Sequence, residues 1–215
     1  MDLLRYYSIT ENGNAKLVTI TDENIQTYIL DSSKKNELAK FIKDRLFYRY
    51  INPFLYESKN TIYKENDILE YDEFLLLHKN GFSMMANSCL LIETIESFYR
   101  GWANTSGLSE TAFLKFFGRD KNFIEFATAD LASSFYKHIR CGILHQGETT
   151  GGWTLTRDNN KLLDESSKII NSKMFLDKVS KSLCDYEREL IDSNWNDLIW
   201  INAKKKLKAI LKNTK

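Results

Sequence analysis

The sequence predicts an all-α fold, a helical bundle with a small N-terminal β-hairpin or irregular cap. Proline occurs once, at Pro53, and glycine only nine times in 215 residues, so helix breakers are few. Beyond residue 30, apolar residues recur at three- and four-residue spacing, the period of an amphipathic helix. With 43% hydrophobic and 27% charged residues, the chain supports a packed core and is not expected to be disordered throughout. Its length suits one domain with small additions: residues 1–30 as the hairpin or cap, and 31–215 as the bundle.

Each element has its own signal. "LLRYYSI" and "AKLVTI" are rich in β-branched and aromatic residues and flank Asn12-Gly13, a favoured hairpin turn. In "DSSKKNELAKFIKDRLFYRYINPF", Asp31, Ser32 or Ser33 can cap a helix whose apolar face is Leu38, Phe41, Ile42, Leu46 and Tyr50; Pro53 closes it. The polar stretch after it reads as a loop with a short element. Residues 73–102 are the most apolar part and form the expected central helix, bent near Asn80-Gly81 and surrounded by others. Ser109 is read as the cap, and Gly118 as the end, of a short helix bearing Ala112, Phe113, Phe116 and Phe117. Further helices are expected over about 121–145, 165–192 and 195–212, with "TTGGWTLTR" as a loop and short strand.

Function is bounded first by what is absent. A net charge of +1 does not announce a nucleic-acid partner. Cys89, Cys141 and Cys184 are scattered and include no Cys-x-x-Cys pair, so neither a disulfide framework nor a structural zinc site is expected. "MDLLRYYSIT" lacks the character of a secretory signal, and no apolar run is long enough for a membrane span; a reducing cytoplasm is the expected setting. The lysine-rich tail from Asn202 reads as a solvated last helix, and the aromatic residues as core.

Against this background "RCGILH", Arg140 to His145, stands out. An imidazole moves protons near neutral pH, and a guanidinium forks onto phosphate oxygens. Together they suit cleavage of RNA by its own 2′-hydroxyl, with His145 as general acid or base and Arg140 stabilising the phosphorane charge; no metal and no cofactor is required. The spacing alone is close to chance. On an unbroken helix, residues five apart are turned from each other by about 140°. The two converge only if the helix loosens at Gly142, read as a possible hinge, or if a second subunit completes the site.

The longer strings "IRCGILHQGETTGGW" and "IETIESFYRGW" resemble the HEPN superfamily (higher eukaryotes and prokaryotes nucleotide-binding domain), in a branch of bacterial defence and mobile-element proteins. The resemblance covers about residues 71–200. It implies a metal-independent ribonuclease of toxin or antiphage type, working as a homodimer whose two Arg140/His145 pairs face one cleft, with RNA as substrate and a cognate antitoxin or defence protein as further partner. It also places Cys141 where a polar residue often follows the Arg, and Gly147 where another branch carries a nucleotidylated Tyr. Glu93 and Glu96, three apart on one helical face, are candidates to orient Arg140, while Gln146, with Glu148 and Thr149, either nests a phosphate or ends the helix. Two rivals remain: a non-catalytic RNA- or nucleotide-binding or dimerising module, and a metal enzyme built on Glu93, Glu96 and His145.

Overall fold

The computed structural model describes residues 1–9, 15–54, 62–64, 67–69, 80–157 and 160–213. The fold is mainly α. The expected N-terminal hairpin is present: β1 (Asp2–Ile9) pairs antiparallel with β2 (Ala15–Thr21). The Asn12-Gly13 turn lies outside the described residues. Register slips between Asp2 and Leu4, a bulge at Leu3. A bulge breaks the in–out alternation, so consecutive Leu3 and Leu4 are both buried in the main core. The Leu3 carbonyl accepts from Arg45 Nη1 at 2.6 Å and Arg49 Nη2 at 3.1 Å, and the Tyr6 ring stacks on Tyr48. The hairpin is thereby tied to the bundle. It leads directly into α1 (Asp22–Tyr28), a short helix that the sequence reading missed although Thr21 and Asn24 form a capping box at its start.

Asp31 caps the 3₁₀ turn Ser32–Lys34, which runs into α2 (Lys35–Tyr50); Pro53 sits in a second 3₁₀ turn, Asn52–Phe54, just beyond its end. Two short strands, β3 (Ile62–Lys64) and β4 (Asp67–Leu69), pair antiparallel in the polar stretch. The central helix α3 (Gly81–Arg100) starts at Gly81; the expected portion over 73–79, which includes His78, lies outside the described residues. As its broad apolar surface predicts, α3 is enclosed by α2, α4 (Ser109–Arg119), α7 (Ser172–Asp192) and α8 (Leu198–Asn213).

Three boundaries differ from expectation. Ser109 does not cap α4, because its hydroxyl is drawn to Glu93 instead, and the helix continues through Gly118 to Arg119. The single helix expected over 121–145 is broken into a 3₁₀ segment (Lys121–Phe126), α5 (Ala129–Phe135) capped by Thr128, a π-helical turn (Tyr136–Arg140) and α6 (Cys141–Gln146). The helix expected from 165 begins at Ser172, where the Asn171 side chain accepts from the Met174 amide at 3.0 Å. Residues before it join a three-stranded sheet in the order β5 (Thr154–Thr156), β7 (Ile169–Asn171), β6 (Leu163–Asp164), with β5 parallel and β6 antiparallel to β7.

Phenylalanines fill the centre of the bundle. The Phe135 ring stacks on Phe175 at 5.1 Å and the Phe117 ring on Phe126 at 5.0 Å, while Phe117 also meets the edges of Phe135 and Phe175. This cluster locks α5 against α4 and α7, and α5 leads directly into the π turn. Phe117→Ala is expected to destabilise the protein by about 3–5 kcal/mol, read as a lower urea midpoint at unchanged slope.

Candidate functional site

The Arg140 segment departs from α-helical geometry just before the motif. The Cys141 amide donates to the Tyr136 carbonyl, five residues back, and the amide of Thr150 donates to the His138 carbonyl at 3.0 Å. The chain after α6 therefore folds back along the helix. Gly142 makes room for it: a Cβ there would lie 2.6 Å from the Glu148 carbonyl oxygen. Gly142 is thus a buried contact point inside α6, not a hinge. Gly151, at φ +64°, passes so near the His138 ring that a Cβ would lie 2.5 Å from Nδ1. His138 Nδ1 is also 2.9 Å from the Thr150 hydroxyl. "HQGETTGG" is therefore a structured return held by His138.

From the end of the π turn, Arg140 reaches across to α3. Its Nε donates to Glu93 Oε1 at 2.9 Å, Nη2 makes an ion-pair contact with the same oxygen at 2.8 Å, and Nη2 lies 3.5 Å from Ser109 Oγ. Glu93 Oε2 accepts from Thr105 Oγ1 at 2.8 Å and Ser109 Oγ at 3.0 Å. The Arg140 and Glu93 side chains are only 15% and 8% exposed, so this is a largely desolvated pair. Burial opposes the charge on Arg140, but the Glu93 carboxylate outweighs it and holds the guanidinium above its ordinary value. The Tyr136 ring lies 5.6 Å from the guanidinium. Burial, then the neighbouring Cys141 thiol, raise the Tyr136 hydroxyl above its ordinary value. Cys141 is half-buried beside both; Cys89, behind the pair, is fully enclosed, and burial pushes its thiol up.

The structure separates the other candidates. Glu96 does not touch Arg140: fully buried, it accepts from Arg100 Nε at 2.8 Å and Arg119 Nη2 at 2.7 Å, and Arg119 stacks 3.5 Å over the Tyr99 ring. His145 and Gln146 are exposed at the end of α6. Because α6 is regular from Cys141 onward, Arg140 and His145 do not converge within one chain; the loosening lies upstream of Arg140 rather than between the two. The metal reading loses its geometry, since among the described residues no three His, Cys, Asp or Glu side chains are grouped to hold an ion.

Sequence reasoning missed Thr105 and Ser109 as partners of Glu93, and Lys206 as a buried residue. Ser109 carried a signal, but its position before an apolar run read as a cap. Lys206 lies in the lysine-rich tail taken as solvated, yet it is 9% exposed and donates to the Ala103 carbonyl at 3.0 Å. A larger cleft of about 700 Å³, lined by Tyr99, Arg119, Asp185, Arg188 and Glu189, is separate from Arg140; Asp185 pairs there with Arg188, and Glu189 accepts from the Tyr99 hydroxyl.

Two outcomes are expected. Glu93→Ala leaves Arg140 desolvated without its counter-ion and costs about 3 kcal/mol of stability in chemical denaturation. Burial lowers the His138 imidazole below its ordinary value of 6.5, with Lys137 and Lys168 adding to the effect. The unfolded chain then binds that proton more readily than the folded one, so stability falls as pH drops through about 6.5 and levels off below the folded value. His138→Gln is expected to flatten that part of a melting-temperature profile against pH.

Compared with protein-family models, curated proteins and solved structures, the chain matches none.

Proposed function

We propose that this chain is a HEPN-like, metal-independent endoribonuclease of toxin or antiphage type, acting in the cytoplasm as a homodimer. The observation that supports this most is the way Glu93 holds Arg140. The carboxylate engages Nε and Nη2 along one edge, and the Cys141 thiol is the neighbouring group on the guanidinium. A guanidinium fixed along one edge offers the other to a phosphate at little entropic cost. This is the orienting role expected of a neighbouring carboxylate, and Glu93 fills it rather than Glu96.

The separation of His145 from Arg140 within one chain fits a site completed by a second copy. Leu144 is 40% exposed next to His145, and Leu90, one turn before Glu93 on α3, is 41% exposed. Pairing two copies across these residues covers apolar surface and sets His145 of one chain toward Arg140 of the other. In the reaction, a neutral His145 takes the 2′-hydroxyl proton as that oxygen attacks phosphorus. Arg140 donates to the non-bridging oxygens as charge develops, and the 5′-oxygen leaves with a proton from the second, protonated His145. The products are a 2′,3′-cyclic phosphate and a 5′-hydroxyl. An antitoxin or other defence partner would act by covering this face.

A second reading, a non-catalytic RNA-binding or dimerising module, is favoured by the thiol of Cys141 beside Arg140, which supplies neither a strong donor nor a charged acceptor to the reacting groups. The two readings part in a cleavage assay with EDTA present. The enzyme reading expects cleavage to persist in EDTA and His145→Ala to lower the rate by about 10²–10⁴. Failure of the purified dimer to cut any of a broad panel of RNAs would sink it. Leu144→Asp is expected to shift the chain to monomer in light scattering and to abolish cleavage with it.

A further inference from the structure

A cavity of about 250 Å³ lies on the other side of Glu93, walled by Tyr50, Leu90, Thr94, Asn104, Thr105 and Lys206. It shares Leu90 with the proposed dimer seam and Glu93 with the Arg140 pair, but its remaining walls have no part in the mechanism. Lys206 is its unusual member. Among the described residues its ammonium donates only to the Ala103 carbonyl and pairs with no carboxylate. Burial lowers it from its ordinary value of 10.5. A partly buried ammonium with two N–H donors left over at the edge of an open recess is placed to serve a further acceptor.

Three properties define that acceptor. First, at about 250 Å³ and open to solvent it is a shallow recess with room for one ring system to lie against its wall rather than a site that engulfs a larger ligand. Second, the half-buried Tyr50 ring and the Leu90 side chain supply flat and apolar walls, while the Asn104 amide carries donors beside Lys206. Third, Glu93 lines the same space, which disfavours a second phosphate there and favours a neutral group. Both Glu93 oxygens are already engaged, by Arg140 on one and by Thr105 and Ser109 on the other, which leaves Lys206 as the main polar group offered to a ligand.

We infer that this cavity seats a carbonyl-bearing nucleobase, uracil, cytosine or guanine but not adenine, of the RNA strand whose phosphate lies at Arg140. The inference rests on the RNA reading of the Arg140 site. A ring carbonyl accepts from Lys206, and the ring face lies against Tyr50. Adenine has no exocyclic carbonyl, and its amino group would oppose the ammonium.

The test measures binding of short 2′-O-methyl oligonucleotides, which lack the attacking hydroxyl, to the full-length protein by fluorescence anisotropy. The wild type is expected to bind oligouridylate about tenfold more tightly than oligoadenylate. Lys206→Met is expected to bring that ratio near one, with its fold checked by circular dichroism. Should Lys206→Met fail to fold, Lys206→Gln and Tyr50→Leu carry the test: the first is expected to reduce the ratio, the second to weaken oligouridylate binding. Equal wild-type affinity for both oligonucleotides, or an unchanged ratio in the folded Lys206 variants, overturns the pocket inference while leaving RNA binding intact. Binding of neither overturns the RNA reading and the pocket together.

Discussion

A carboxylate cannot enter a helical bundle without donors, and that constraint organises this molecule around Glu93. Its carboxylate accepts from Arg140, Thr105 and Ser109, and Arg140 adds a second, ion-pair contact. These residues belong to the π turn, to the loop after α3 and to the first residue of α4. One side chain of the central helix thus fixes three otherwise separate pieces of chain. The phenylalanine cluster supplies the bulk of the apolar packing, but it is non-directional; the Glu93 bonds decide which way Arg140 faces. Glu96, one turn further along α3, does the same for Arg100 and Arg119. Two acids three residues apart therefore serve two networks, one opening toward the motif and one toward the larger cleft.

Much of this was legible in the sequence, and the failures have physical causes. The helical character, the N-terminal hairpin, the stop near Pro53 and the core role of the phenylalanines follow from local patterns that tertiary packing reinforced. The break of the 121–145 helix did not show, because "ATADLASSFYKHIR" contains no proline or glycine, and a π turn is chosen by packing and not by composition. The late start of α7 was hidden because Ile169 and Ile170 satisfy a helical period as well as a strand's, and only pairing with Thr154 to Thr156 and Leu163 decides between them.

At the site, a carboxylate partner for Arg140 was legible because both types are costly to bury alone, but the sequence left Glu93 and Glu96 as equal candidates and only packing chose Glu93. Thr105 carried no signal beyond a polar loop. Lys206 was misread since one lysine among several neighbours looks solvated, and only the crossing of α8 over the loop at Ala103 buries it. Gly142 was seen as a point of freedom. Its small size in fact admits a returning backbone, which constrains the motif.

The π turn at Tyr136–Arg140 has a consequence for how the motif is phased. An α-helix advances about 100° per residue, so one residue more or less swings everything downstream by nearly a third of a turn. The wide turn absorbs such a step at one place. Upstream, Leu131, Ala132 and Phe135 keep their face in the core; downstream, Gly142 meets the returning loop and His145 faces outward. The turn acts as a phase shifter between the scaffold and the exposed end of α6. It lets the two faces be set independently on what is nominally one rod.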